Sequence, residues 1–189
     1  MGRCQWLLAV CLLFVALPLT AAEAAVWQRL AEPGHLVLVR HAIAPGTGDP
    51  KGFRLDECAT QRNLSAAGRA QAQRMGERLR ANGLDRAAVY SSQWCRCMET
   101  ASLLGVGNPL PLPALNSFYG EAARGGDQTR EILQWLGQQP QNAKLILVTH
   151  QVNITALTGV YPASGEMLVL RRLDDGAIEL VGRIRTDEF

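Results

Sequence analysis

Leu36-Val37-Leu38-Val39-Arg40-His41 and Leu145-Ile146-Leu147-Val148-Thr149-His150 are nearly the same phrase, written twice with the two histidines 109 positions apart. Each is a short apolar run, partly β-branched, that ends abruptly in an imidazole. Continuous apolar runs of this length, without alternation, predict strands buried on both faces, as in a parallel sheet covered by helices. Open α/β sheets bind ligands beyond the carboxyl ends of their strands. His41 and His150, two of only three histidines in the chain, are therefore expected together at the edge where chemistry occurs.

The segments around these strands fill in an α/β pattern. Residues 42–62 form a loop rich in Gly, Pro and Asp, a length usually reserved for functional segments. Ser65 is a good N-cap for a helix over Ala66 to Asn82, with Gly83 placed to stop it. A short strand over Ala88 to Ser91 leads to a second helix, Cys95 to Leu104, closed by Gly105. Asn108 to Gly126 is expected to be an irregular excursion over the site. Gln128 to Gln138 forms a third helix with Ile132, Leu133, Trp135 and Leu136 on its apolar face, and Pro140 breaks it. Lys144 to Thr149 is the second buried strand, and Val152 to Thr158 starts a helix directly from His150. Met167 to Arg171 and Ile178 to Ile184 are an antiparallel pair turned by Asp174-Asp175-Gly176. The expected fold is α/β, a mostly parallel central sheet flanked by helices on both faces, with a C-terminal β-hairpin.

Residues 1–24 are set apart as a signal peptide. Arg3 supplies a positive start, Trp6 to Leu19 is apolar, and Ala22-Glu23-Ala24 offers a small-residue cleavage site. About 14 apolar residues are too few to span a bilayer, which takes roughly 20. A lipid anchor at Cys11 is disfavoured by bulky Val10 and by the apolar run continuing past it. One domain, residues 25–189, is then expected in the periplasm or outside the cell, with no stable membrane insertion after cleavage. Losing Arg3 and Glu23 leaves the net charge at +2, which gives no case for a nucleic-acid or membrane-surface partner. Oligomeric state has no signal in the sequence. Cys58, Cys95 and Cys97 remain after cleavage, and an oxidising compartment favours a disulfide. Cys58 pairs plausibly with Cys97 or with Cys95, leaving one thiol.

Beside the histidines stand two guanidiniums, Arg40 immediately before His41 and Arg96 at the start of the second predicted helix. Two arginines converging on two imidazoles repel a metal cation, and neither an HExxH nor a CxxC spacing occurs. No metal and no other cofactor is expected. The cluster suits a phosphate dianion, which guanidinium forks bind bidentately and helix N-termini attract. A neutral imidazole can attack phosphorus near pH 7, and the surrounding cations stabilise the transferring group.

Four blocks carry a family resemblance. Arg40-His41-Ala42 after a strand resembles the Arg-His-Gly signature of the histidine phosphatase (phosphoglycerate-mutase-like) superfamily. Asn63-Leu64-Ser65-Ala66-Ala67-Gly68-Arg69-Ala70-Gln71-Ala72 is similar to that family's Leu-Thr/Ser-x-x-Gly-x-x-Gln-Ala helix start. Ser91-Ser92-Gln93-Trp94-Cys95-Arg96-Cys97-Met98-Glu99-Thr100-Ala101 resembles its Ser-Ser-x-x-x-Arg-x-x-x-Thr-Ala segment, and Val148-Thr149-His150 its second histidine strand. The resemblance implies a metal-independent phosphohydrolase of the histidine acid phosphatase type. His41 would be the phosphorylated nucleophile, and Arg40, Arg96 and His150 the phosphate clamp. Two departures stand out. Ala42 replaces the usual glycine, and Gln151 follows His150 where the acid-phosphatase and phytase branch has a proton-donating aspartate. In the mutase-like branch a glutamate some 25 to 30 residues after the second arginine donates the proton, which points to Glu121; Asp56, Glu57 and Glu166 are its rivals.

Arg62 and Asn153 are further substrate-binding candidates. Arg69 and the run Arg78, Arg80 and Arg86 are expected on solvated helix faces, His35 on the surface, and Trp94 and Trp135 in packing. The expected partner is a small-molecule or glycan phosphate ester. Export favours hydrolysis over a mutase reaction, which needs a cytosolic phosphosugar pool. Exported relatives acting on phosphorylated heptose of the lipopolysaccharide core suggest one specific activity. A non-catalytic phosphate-ligand binding protein is the alternative from another class.

Overall fold

The computed structural model describes residues 19–186. Most of the expected signal segment, including Cys11, lies outside the described residues. Residues 19–24 belong to a helix, α1 (Leu19–Leu30), which runs through the expected cleavage site. Its alanine-rich sequence favours helix, and Trp27 and Leu30 bury themselves in the core.

The chain continues through β1 (His35–Arg40), α2 (Ala66–Ala81), β2 (Ala88–Ser91), α3 (Cys95–Leu103) and β3 (Pro109–Pro111). It ends with α4 (Gly125–Gly137), β4 (Leu145–Thr149), α5 (Gln151–Thr158), β5 (Met167–Arg172) and β6 (Ile178–Ile184). One six-stranded sheet has the order β3-β2-β4-β1-β5-β6. β3, β2, β4 and β1 are parallel, and β5 and β6 add an antiparallel hairpin at one edge. This is the mostly parallel sheet with a C-terminal hairpin that the sequence implied.

The sheet is buried from both sides, which explains the unbroken apolar spelling of its central strands. Val37 and Val39 of β1 and Ile146 and Val148 of β4 face a core shared with α1, α2 and α3. Leu36 and Leu38, with Leu145 and Leu147, face the opposite core beneath α4 and α5. Between them β1 and β4 place no exposed residue, so neither strand has a polar face to spell.

The echo of the two strands has a structural meaning. β1 and β4 are direct parallel neighbours, with Leu36 opposite Leu145 and Arg40 opposite Thr149. The shared register carries both chains off the sheet at the same level, and His41 N–H still donates to Thr149 O at 3.0 Å.

Two contacts pin the backbone after His41. Ala42 N–H donates to Thr100 Oγ1 at 3.0 Å, and Gln71 Oε1 accepts from Ile43 N–H at 3.0 Å. Ser65 caps α2 by accepting from Gly68 N–H. A Cβ on Gly68 would stand 2.1 Å from Ile43 O, so only glycine lets α2 approach the loop this closely. The Ser-x-x-Gly-x-x-Gln and Arg-x-x-x-Thr spacings thus fix the stretch that follows the first histidine. Ala42 has an ordinary negative φ, since the described residues with positive φ are all glycine. Replacing the usual glycine here introduces no backbone strain.

Cys58 is disulfide-bonded to Cys95, and Cys97 is a buried free thiol. Of the two pairings open in the sequence, this one joins the long loop to the first residue of α3.

Candidate active site

His41, His150, Arg40, Arg62 and Arg96 line one pocket of about 110 Å³ at the carboxyl edge of the parallel strands. Thr47, Asp49, Ser117, Tyr119, Gln151 and Tyr161 complete much of its wall. The imidazoles of His41 and His150 meet edge to face with centroids 5.5 Å apart. α5 starts directly after His150, so Gln151 and Val152 bring the free N–H groups of its first turn to the wall.

His41 is buried, and its Nδ1 lies 2.8 Å from Ala42 O. A carbonyl can only accept, so Nδ1 carries the proton and Nε2 keeps its lone pair. Burial pushes the imidazole down to about 3, against the raising influence of the Ala42 bond, and Arg96, Arg62 and Arg40 push the same way as burial. His41 is therefore a neutral base with a free nitrogen throughout the physiological range.

His150 is held differently. Its Nδ1 lies 3.3 Å from Arg96 Nη2, a donor, and its Nε2 lies 2.8 Å from Ser92 Oγ. Burial, then the neighbouring His41 and the arginines, lower its proton affinity well below the ordinary histidine value. Both ring nitrogens have protein partners, and the Ser92 hydroxyl can serve either tautomer because it donates or accepts.

Arg96 is anchored by carboxylate, carbonyl and imidazole. Nη1 donates to Asp49 Oδ1 at 2.8 Å and to Arg62 O at 3.3 Å. Both side chains of the pair are buried, Arg96 at 3% and Asp49 at 8% exposure, so the charges are desolvated together. Arg40 Nη1 donates to Pro162 O at 2.7 Å, and Arg62 Nε to Gly48 O at 2.7 Å. The Nε groups of Arg40 and Arg96 are buried without a protein acceptor, a costly condition that an oxyanion partner would relieve.

The remaining expected site residues separate from this cluster. Glu121 is 62% exposed, pairs with Arg124 and does not line the pocket. Its rivals are no better placed as acids. Asp56 and Glu57 are exposed, Glu57 paired with Arg54, while Glu166 is fully buried and bound by Arg183 and by Ala163 N–H. Asn153 is a buried strut rather than a ligand. It donates to Leu115 O and Asn116 O at 2.9 Å and to Thr149 Oγ1 at 2.7 Å, tying the excursion to the end of β4.

Two expectations about the periphery also change. His35 is buried, with Nδ1 within 3.2 Å of the carbonyls of Glu32 and Pro33. Arg78 donates to Arg185 O and pairs with Glu23, so it belongs to an intramolecular network rather than a solvated face. Arg69 is on the surface as expected, paired with Glu99.

The residue that sequence reasoning missed is Asp49. It accepts from Arg96, from Arg62 N–H at 3.0 Å and from Trp94 Nε1 at 3.0 Å. These partners hold its carboxyl below the usual range despite the opposing effect of burial. It is the one carboxylate in the pocket wall among the described residues. The available signal was chemical: a buried guanidinium at Arg96, with half-buried Arg40 and Arg62 beside it, requires a counter-charge, and Asp49 is the first acid after His41.

No curated protein matches the chain in a sequence comparison. Residues 36–118 match the model of the histidine phosphatase superfamily, branch 1. Among solved structures, the protein histidine phosphatase SixA in complex with tungstate is similar, with a TM-score of 0.59 and 14% identity over 80% of this chain and 97% of that one. Phosphoserine phosphatase from Entamoeba histolytica, bound to 3-phosphoglyceric acid, has a TM-score of 0.60 and 15% identity over 81% and 98%. A mycobacterial glucosyl-3-phosphoglycerate phosphatase has a TM-score of 0.57 and 16% identity over 79% and 98%. The matched segment begins on the first histidine strand and includes the helix that carries Arg96, and the fold is that of the solved phosphatases. Over residues 36–118 the chain is thus similar to the histidine phosphatase superfamily, and its fold is shared with these solved phosphatases.

Proposed function

We propose that the protein is a metal-independent phosphomonoesterase working through a phosphohistidine on His41. The observation that carries this reading is the state of His41: neutral, protonated on Nδ1, with Nε2 free in a pocket walled by Arg40, Arg62 and Arg96. The Nε2 lone pair forms a bond to phosphorus as the ester P–O bond breaks. The leaving oxygen takes a proton from water at the open mouth, since Asp49 is ionised and Glu121 is remote. Water then attacks phosphorus, the N–P bond breaks, the water's proton departs, and phosphate leaves. The guanidiniums stabilise the equatorial oxygens in both steps. Three cations around the nucleophile make the site a poor host for a metal ion.

The outer wall supports a particular leaving group. Thr47, Ser117, Gln151, and the exposed rings of Tyr119 and Tyr161 present hydroxyls, an amide and aromatic faces. This chemistry favours a neutral, hydroxylated group, and phosphorylated heptose of the lipopolysaccharide core is such a substrate. The amino-terminal sequence, with its positive start and short apolar run, supports action in the periplasm or outside the cell.

Purified protein in chelator should hydrolyse p-nitrophenyl phosphate and accumulate acid-labile, alkali-stable phosphate, and His41→Ala should remove both activities. A cleavage rate unchanged in that variant would refute the mechanism. Phosphate binding without turnover in the native protein would identify a non-catalytic binding protein instead.

A further inference from the structure

The pocket places three guanidiniums, Arg40, Arg62 and Arg96, beside two imidazoles that burial keeps neutral. Against these stands one carboxylate, Asp49, bonded directly to the Arg96 fork at 2.8 Å. Glu166, whose charge also reaches Arg40, is already bound by Arg183. Three positive charges and one negative leave the wall with two positive charges, equal and opposite to a phosphate dianion.

We propose that Asp49 is a specificity-determining residue that competes with the substrate's phosphoryl group for Arg96, trimming the pocket's charge to match one phosphate dianion. The proposal rests on the phosphomonoesterase reading and adds a sign to it. Asp49 weakens phosphate binding in the ground state, so that product is released rather than trapped among three arginines.

The placement of Asp49 fits this role better than a purely structural one. Its second oxygen accepts from Trp94 Nε1, and its first also takes Arg62 N–H, so the carboxylate stays at the wall when one bond is given up. Arg96 likewise keeps Arg62 O and His150 Nδ1 as partners when a phosphoryl oxygen replaces Asp49 at Nη1. Neither side chain has to leave the pocket for the exchange.

The test is calorimetric titration with inorganic phosphate, alongside steady-state hydrolysis of p-nitrophenyl phosphate, for the native protein, Asp49→Asn, Asp49→Ser and Asp49→Glu. Both neutral variants should bind phosphate roughly tenfold more tightly, the order expected for removing one nearby like charge, and should turn over more slowly. Asp49→Glu should bind as the native protein does, because it keeps the charge. A residue that merely props the loop would give the opposite sign, weaker phosphate binding in every variant, and that result overturns the proposal. Unchanged binding in the neutral variants overturns it as well. If the native protein does not hydrolyse p-nitrophenyl phosphate, the phosphomonoesterase reading itself fails; hydrolysis by the native protein with no tightening of phosphate binding in either neutral variant defeats the Asp49 proposal alone. Should Asp49→Asn fold poorly, Asp49→Ser and the phosphate-induced rise in melting temperature of each folded variant carry the same comparison.

Discussion

β1 has a buried histidine at each end, His35 at its start and His41 just past its finish, and the two ends of the sheet use the same residue types for different purposes. At the amino end, His35 turns Nδ1 to local carbonyls. Nearby Arg172 donates to Leu136 O, Gln139 O and Pro140 O, closing the carboxyl end of α4. That guanidinium completes a helix terminus, where its charge also meets the favourable end of the helix dipole. At the carboxyl end, three guanidiniums share one pocket with one carboxylate among the described residues; unpartnered nitrogens do not tell the ends apart, since His35 Nε2 and Arg172 Nε lack a partner just as Arg40 Nε and Arg96 Nε do. Burying His and Arg is thus no mark of function. Function shows where buried cations converge beyond what backbone carbonyls and counter-charges satisfy.

The largest effect that could break this contrast is a swap of losses between its two arginines. Arg96→Ala should cut kcat/KM for p-nitrophenyl phosphate by roughly 100- to 1,000-fold, the cost of a transition-state donor. Arg172→Ala should leave kcat/KM within about twofold and instead destabilise the fold by about 1–3 kcal/mol in urea unfolding, through its three stranded carbonyls. Equal effects of both changes on activity would erase the distinction.

Acid should find the carboxyl end first. An unfolded His41 binds a proton below about pH 6.5, whereas the folded one resists until about pH 3. Across that window the unfolded chain holds more protons, so stability falls as pH is lowered, and His150 acts in the same direction. The melting temperature should drop from pH 7 to pH 4.5, and His41→Asn should flatten the slope. A wild-type melting temperature that stays level over this range would contradict the burial assigned to the pair.

The smallest effect is expected at Glu121. Glu121→Gln should change kcat/KM by less than about twofold, as for other surface substitutions away from special features, with the same pH profile. A larger loss would bring its carboxylate over the site, where Ser117 and Tyr119 of the same segment already stand.

These outcomes also measure how far a sequence speaks for its structure. The central strands were legible because β1 and β4 are covered on both faces and no polar residue interrupts them. β3 was not, because Pro109-Leu110-Pro111 is a partly exposed edge strand, where proline is tolerated and the apolar signal is lost. The meeting of Arg40, Arg96, His41 and His150 in one pocket was legible because they sit at element ends whose directions follow from the fold. Asp49 was hidden because its position depends on a loop folding back to meet Arg62 and Trp94, which no spacing encodes. Glu121 misled for a related reason. Distance along the chain from Arg96 says nothing about the turn at Phe118 to Glu121, which leaves the carboxylate beside Arg124 in solvent. His35 looked peripheral because it opens a strand, yet the neighbouring carbonyls bury it.

The Cys58–Cys95 bond couples the far end of the loop that carries Asp49 and Thr47 to the helical turn that carries Arg96. Cys58 is exposed, so the covalent tie is open to small thiols. In a reducing cytosol such a tie does not persist, and the loop would be held there by non-covalent contacts alone, among them the Asp49–Arg96 ion pair and the packing of Phe53 on Trp94. Closing the covalent tie between the pocket's loop and the Arg96 turn is therefore an oxidation event, completed only where these two thiols can pair.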